Sequence, residues 1–147
     1  MTVGTCPGCG AVGPVELGAP SEVTVGTVAV VLERRPVVAC PDRHGLAPSE
    51  VAGTAMDAVR AAIPRARSRL FRADACRSCG EVLTMPVRRT ERVVTVDPPD
   101  APVLTLRFDL PMTRCPGCSV DQVPSRSQED LVVSVPALFA APERPSS

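Results

Sequence analysis

The stretch Cys115-Pro116-Gly117-Cys118, taken with Cys76-Arg77-Ser78-Cys79 upstream of it, decides the fold. Two cysteines with two residues between them, held in a tight turn, aim both sulfurs at one point about 2.3 Å away, the Zn–S distance of a tetrahedral site. Backbone N–H groups of the same turn can donate to the thiolates. The second knuckle follows the first after 35 residues. Together they supply four thiolates and leave no open coordination position, which is the pattern of a structural metal site. A thioredoxin-like dithiol would show one such knuckle beside a βαβ pattern, not two.

Working outward, the amino-terminal half repeats the theme. Cys6-Pro7-Gly8-Cys9 is followed after 30 residues by Cys40, and His44 stands four positions beyond it. A regular second knuckle would place a cysteine at position 43, where the chain has Arg43. The fourth ligand is therefore His44, Asp42 or water. His44 is preferred, because neutral imidazole is a good zinc ligand and this is the chain's single histidine. The ligands expected are Cys6, Cys9, Cys40 and His44 for one Zn2+, and Cys76, Cys79, Cys115 and Cys118 for a second. Pro7, Pro41 and Pro116 stiffen the turns, and Gly8, Gly10, Gly80 and Gly117 relieve them.

The intervening sequence repeats as well. Pro36 and Pro111 stand four residues before Cys40 and Cys115, and each follows an apolar run, Val28–Leu32 and Val103–Phe108. In the first copy, Val23–Leu32 and Pro36–Ala39 read as a hairpin turning near Glu33–Arg35, with loops marked by Gly13-Pro14 and Ala19-Pro20. A helix then follows, with Ser49 as N-cap, Glu50 in the first turn, Val51, Ala55, Ala58, Val59, Ala62 and Ile63 on one face, and Pro64 as its stop. In the second copy, Glu81–Val87, Arg92–Val96 and Val103–Leu110 read as strands, with 97–100 as a loop. Ser125 or Ser127 then opens a short helix carrying Leu131, Val132 and Val135, limited by Pro136. The fold class expected is α+β: two tandem zinc ribbons, each a small antiparallel sheet with two cysteine knuckles and a short C-terminal helix. The domains expected are 1–63, an Arg-rich linker 64–75, a second ribbon 76–140, and a disordered tail 141–147.

Composition agrees with metal-clipped units. The 147 residues include 17 Pro and seven Cys but only three Phe and no Trp or Tyr. A core of Val, Leu, Ala and Ile in units of this size calls for a cross-link. Iron centres of the rubredoxin type use a similar cysteine spacing but surround the metal with aromatics, which this chain lacks; zinc is preferred over iron. Sixteen basic residues, all arginine, balance sixteen acidic ones. That balance argues against a nucleic-acid coat or a membrane-surface protein driven by bulk charge. No run reaches the roughly 18 apolar residues of a membrane span. Residues 1–10 show no basic n-region and no apolar h-region, so the expectation is a cytoplasmic protein with reduced thiols. The absence of Lys and Asn alongside abundant Ala, Val, Arg and Pro resembles the composition of proteins from high-GC bacteria.

Arg60, Arg65, Arg67, Arg69 and Arg72 form the one charge cluster of note. Arginine gives bidentate contacts to phosphate, so these side chains are candidate phosphate or acidic-partner contacts, against the plainer reading of a solvated linker face. Without Tyr or Trp there is no stacking platform for single-stranded nucleic acid. No Glu or second His is placed for general-base work at the first site, so no catalytic residue and no enzymatic activity are expected. No small-molecule substrate is evident.

The first unit resembles the YgiT/MqsA-type zinc-finger family on four features: Cys6-Pro7-Gly8-Cys9-Gly10, Val37-Val38-Ala39-Cys40, His44-Gly45 and the helix led by Ser49-Glu50. The resemblance covers residues 3–63, with a weaker copy over 73–140 that has Cys118-Ser119 where the family has Cys-Gly. It implies structural zinc and a domain that binds a partner protein. The helix-turn-helix by which that family binds DNA has no counterpart in this sequence. The function expected is zinc ion binding by a protein-interaction or regulatory module. The alternative is a nucleic-acid-binding, antitoxin-like or transcription-associated regulator using the Arg60–Arg72 surface.

Overall fold

The computed structural model describes residues 2–69, 72–83, 87–99 and 101–140, apart from the side chains of Arg69, Arg72 and Ala140. The chain is α+β. In order it forms β1 (Val3–Thr5), β2 (Val12–Leu17), β3 (Ser21–Val25), β4 (Val28–Leu32), β5 (Pro36–Val38) and α1 (Val51–Ala62). There follow β6 (Arg67–Arg69), β7 (Arg72–Ala75), β8 (Arg88–Val96), β9 (Leu104–Arg114), β10 (Asp121–Gln122) and α2 (Ser125–Ala140). The tail 141–147 and residues 84–86 of the strand expected at 81–87 lie outside the described residues.

The central sheet runs β3-β4-β9-β8, all antiparallel, and β10 pairs with the far end of β9. Its inner face follows the strand period of two. Val28, Val30 and Leu32 of β4, Leu104, Leu106, Phe108 and Leu110 of β9, and Val94 and Val96 of β8 are all buried in one cluster. The outer face carries alternate residues in ion pairs, Arg107 with Glu33 and Glu91 and Arg89 with Asp109. Both helices cover the inner face, and each covers strands of the other half: α1 lies against β8, while α2 lies against β3 and β4.

The two halves of the chain meet in this one sheet and share one buried cluster. β4 of the first half is hydrogen-bonded to β9 of the second, in the register Ala29↔Asp109 to Leu32↔Leu106. The physical reason is area. Each hairpin alone leaves an apolar face and both edges bare; joining β4 to β9 pairs one edge of each, and the two helices cover the face. Each Leu, Val or Phe so buried contributes about 1.5–3 kcal/mol relative to exposure.

Some local expectations change. The run 23–32 is itself a hairpin, β3–β4, turning at Gly26-Thr27 and not at 33–35. Gly26 has φ +54°, and a Cβ there would run into the Asp130 carboxylate, which accepts from the Thr27 N–H at 3.1 Å. Freed from that hairpin, β5 pairs with β2 instead, so Gly13-Pro14 lies inside a strand. The strand expected at Arg92–Val96 begins earlier, so that Arg88 and Arg89 also belong to β8. The supposed linker contains the β6–β7 hairpin, and Val123 bridges Arg65 and accepts from the Ala66 N–H at 2.9 Å.

Both helices start or stop differently from expectation. The N-cap of α1 is Glu50, whose side chain makes no cap bond, in place of Ser49. Its inner face holds Val51, Ala55, Met56 and Val59, with Ile63 buried at the C-cap, while Ala62 is exposed. Helix α2 runs through Pro136 to Ala140. A proline there deletes one intrahelical N–H. Burial of Leu138 and Phe139 outweighs that loss, and the last turn is held from the first half: Ser21 Oγ donates to the Leu138 carbonyl at 3.1 Å and the buried Arg35 guanidinium to that of Phe139 at 3.1 Å. At its other end the Asp74 carboxylate accepts from Ser125 N at 2.8 Å and Ser125 Oγ at 2.5 Å.

Candidate metal centres

Three knuckles share one backbone design. In each, the residue after the second cysteine donates its N–H to the carbonyl of the first: Gly10 to Cys6 at 2.8 Å, Gly80 to Cys76 at 3.0 Å and Ser119 to Cys115 at 3.0 Å. The first cysteine's own N–H is taken by Ala11, Glu81 or Val120, at 2.9, 2.7 and 3.0 Å. The closing residue must be left-handed. Gly10 and Gly80 have φ of +73° and +79°, and Ser119 adopts +64° without the glycine that this geometry favours.

The Cys40 turn is built differently. Arg43 donates its N–H to the Cys40 carbonyl at 3.1 Å and takes φ +51°, which swings His44 back over the cysteine. His44 then donates its own N–H to Cys40 Sγ at 3.4 Å. Its Nδ1 lies 3.4 Å from Cys40 Sγ and 3.7 Å from Cys6 Sγ. The extra residue relative to a regular knuckle suits the longer reach of an imidazole.

The eight expected ligands therefore assemble into two sets, Cys6, Cys9, Cys40 and His44, and Cys76, Cys79, Cys115 and Cys118, with the ligand atoms of each set all within 4.8 Å of one another. Asp42 is not in either set. In the second, Cys76 Sγ lies 3.5 Å from Cys118 Sγ and Cys79 Sγ 3.5 Å from Cys115 Sγ. A tetrahedron with metal–sulfur bonds of about 2.3 Å has edges of about 3.8 Å, so these separations fit one ion per set. They do not fit disulfides, whose S–S bond is about 2.05 Å, and all seven cysteines are free. Two such sets can hold two metal ions.

Each centre has a buried and an exposed side. Cys6, Cys76 and Cys115 are buried, whereas Cys9, Cys79 and Cys118 are exposed. The N–H of Cys79, the side-chain amide of Gln122 and the N–H of Ser78 lower the Cys76 thiol to about 6 against its burial. The N–H of Glu81 pulls Cys79 down, but its proton shared with Cys115 and its burial prevail and push it up to about 12. At the first centre, the His44 N–H is the main influence holding Cys40 low. Each cluster thus pairs cysteines held low with one held high: Cys6 and Cys40 against Cys9, and Cys76 against Cys79.

Sequence reading missed Gln122. It is fully buried on β10, donates Nε2–H to Cys76 Sγ at 3.0 Å and accepts from the Arg77 N–H at 2.7 Å. Glutamine is not a ligand type and fits no spacing rule; its place is set by the pairing Gln122↔Thr113 on β9.

The arginine cluster does not gather into one described face. Arg60 is exposed on the last turn of α1 and Arg67 is exposed on β6, whereas Arg65 is half-buried with its Nε shielded from water. Arg69 and Arg72 stand opposite each other in β6–β7, and their side chains lie outside the described residues. Extension through β8 is limited, because Arg89 pairs with Asp109 at 3.1 Å and Arg92 with Asp121 at 3.6 Å. Arg114, adjoining Cys115, likewise pairs with Asp121 at 3.3 Å. Among the described residues no helix is long and apolar enough to cross a membrane. Comparison with family models, curated proteins and solved structures gives no match to this chain.

Proposed function

We propose that this protein is a zinc-binding module whose two Zn2+ ions are structural and whose fold presents a rigid surface to another protein. The observation that carries the reading is the convergence of eight ligand atoms from distant parts of the chain into two sets of four. Four thiolates at one centre, and three with an imidazole nitrogen at the other, match zinc in ligand softness and number. Cys6, Cys9, Cys40 and His44 would hold one ion and Cys76, Cys79, Cys115 and Cys118 the other. Metal supplies no open position for chemistry when four protein ligands surround it, so the module is read as non-enzymatic. The half-by-half correspondence of knuckles, hairpin and helix supports a tandem zinc-ribbon origin, and the YgiT/MqsA-type resemblance supports a regulatory partner protein. A cytoplasmic setting, which keeps thiols reduced, suits seven unpaired cysteines.

Elemental analysis with native mass spectrometry tests the reading: two zinc ions per chain are expected, and removal by a strong chelator should unfold the protein. Fewer than two metals, or a fold indifferent to chelation, overturns it.

A further inference from the structure

The two centres differ in their ligands, three cysteines and a histidine against four cysteines, and they differ again outside them. Seven residues after Cys115 stands Gln122; seven after Cys40 stands Ala47, which is buried and whose side chain has nothing to donate. Gln122 is fixed on every side. Its Oε1 must accept, because the Arg77 N–H points at it from 2.7 Å, so its Nε2 is turned the other way. There one N–H meets Cys76 Sγ at 3.0 Å and another the Val120 carbonyl at 3.4 Å. The backbone of both knuckles thus orients the amide so that a donor faces sulfur. Cys76 also accepts from the Ser78 N–H at 3.4 Å. At the first centre, among the described residues, the groups acting on Cys6, Cys9 and Cys40 are backbone amides and the ligands themselves.

Charge explains why such a donor belongs at the second centre. A divalent ion with four thiolates carries a net charge of about −2, against about −1 with three thiolates and a neutral imidazole. Cys79 and Cys118 face water, but on the inner side, among Ala66, Leu83 and Cys115, the Cys76 sulfur has little water to offset its charge.

We propose that Gln122 is a positioning residue of the second centre, aiming the Cys76 sulfur at the metal and offsetting its charge so that this centre retains metal more tightly than the first. The inference rests on the zinc reading above. Outer donors of this kind typically change metal affinity 10–100-fold. It follows that the Cys3His centre is the one that exchanges metal first.

The test uses the full chain, Gln122→Leu and Gln122→Glu, each titrated with Zn2+ against a chromophoric chelator and loaded separately with Co2+. Glutamate keeps the shape and the acceptor for the Arg77 N–H but replaces the donor with a second acceptor, so it reports even where leucine fails to fold. Wild type should release zinc in two steps. In either variant the tighter step should weaken about tenfold or more, with the weaker step unmoved, and the sulfur-to-cobalt charge-transfer band of the four-cysteine centre should move to lower energy. A variant that lowers thermal stability but leaves both competition constants and the cobalt band unchanged makes Gln122 a core residue only and overturns the inference. A wild type that binds two zinc ions with equal affinity also overturns it, with the zinc reading intact. A wild type that binds none overturns that reading itself.

Discussion

Leu32 and Leu106 stand opposite each other across β4 and β9, both fully buried, and through this pair the two halves of the chain share one core. The relationship predicts that the two halves unfold as one cooperative body. Leu106→Ala should therefore destabilise the whole protein by about 3 kcal/mol, the middle of the range for a buried leucine truncated to alanine. Chemical denaturation followed by fluorescence of a probe on either half should give one transition with one midpoint. Two separated transitions would show that the halves fold independently.

Removing one ligand should act in the same all-or-none way. Cys115 continues directly from β9, the strand at the centre of the sheet. Cys115→Ser should lower zinc content from two per chain to one and reduce the melting temperature seen by probes in both halves. Cys9→Ser, at the exposed edge of the first centre, clips only the β1-β2-β5 sheet and should cost less. Equal losses from the two substitutions would contradict this ranking.

Ser119 marks a place where stability can be gained. It occupies a left-handed backbone position, φ +64°, that Gly10 and Gly80 fill in the sister knuckles. A non-glycine residue there costs about 1–2 kcal/mol, of which the greater freedom of glycine in the unfolded chain gives back part. Ser119→Gly should stabilise by about 0.5 kcal/mol, and Ser119→Val, β-branched, should destabilise. A melting temperature that falls for glycine would refute the argument.

Acid should strip metal from the second centre with a changing slope. Ligand thiols must lose their protons to bind, so falling pH weakens affinity. Cys79, whose thiol is pushed up to about 12, and Cys118, whose thiol is also raised, release protons on metal uptake at pH 7. Cys76, held down to about 6 by the Cys79 N–H and by Gln122, is already ionised there. Below pH 6 it too must be deprotonated, so the plot of log affinity against pH steepens by about one proton as pH falls through that value. Competition titrations from pH 5 to 8 would show the break, and a straight line throughout would contradict it.

The legible part of this molecule was local chemistry. Cys-x2-Cys turns specify their own geometry through bonds between residues four or five apart, so spacing sorted the seven cysteines into two sets, and ligand chemistry favoured His44 over Asp42 for the eighth place. The helical faces of Val51, Ala55 and Val59 and of Leu131 and Val135 were legible for the same reason. The turn at Gly26-Thr27 was hidden because the apolar run 23–32 reads as one strand until Asp130, more than 100 residues away, is seen to hold the turn. Pro136 read as a stop because helix propensity is local, whereas Arg35 and Ser21, which bind the last turn beyond it, come from the other half.

What the sequence by itself determined is therefore the inventory: an α+β chain, two sets of four residues able to hold a metal, and the helices that follow them. Tertiary structure alone decided how the halves combine, because edge-to-edge pairing of β4 with β9 and the packing of α1 on β8 and of α2 on β3 and β4 depend on burying apolar surface that neither half can cover by itself. It also decided the inequality of the two centres. Gln122 reaches Cys76 only because β10 pairs with the far end of β9, and a hydrogen bond between residues 46 positions apart leaves no trace in spacing.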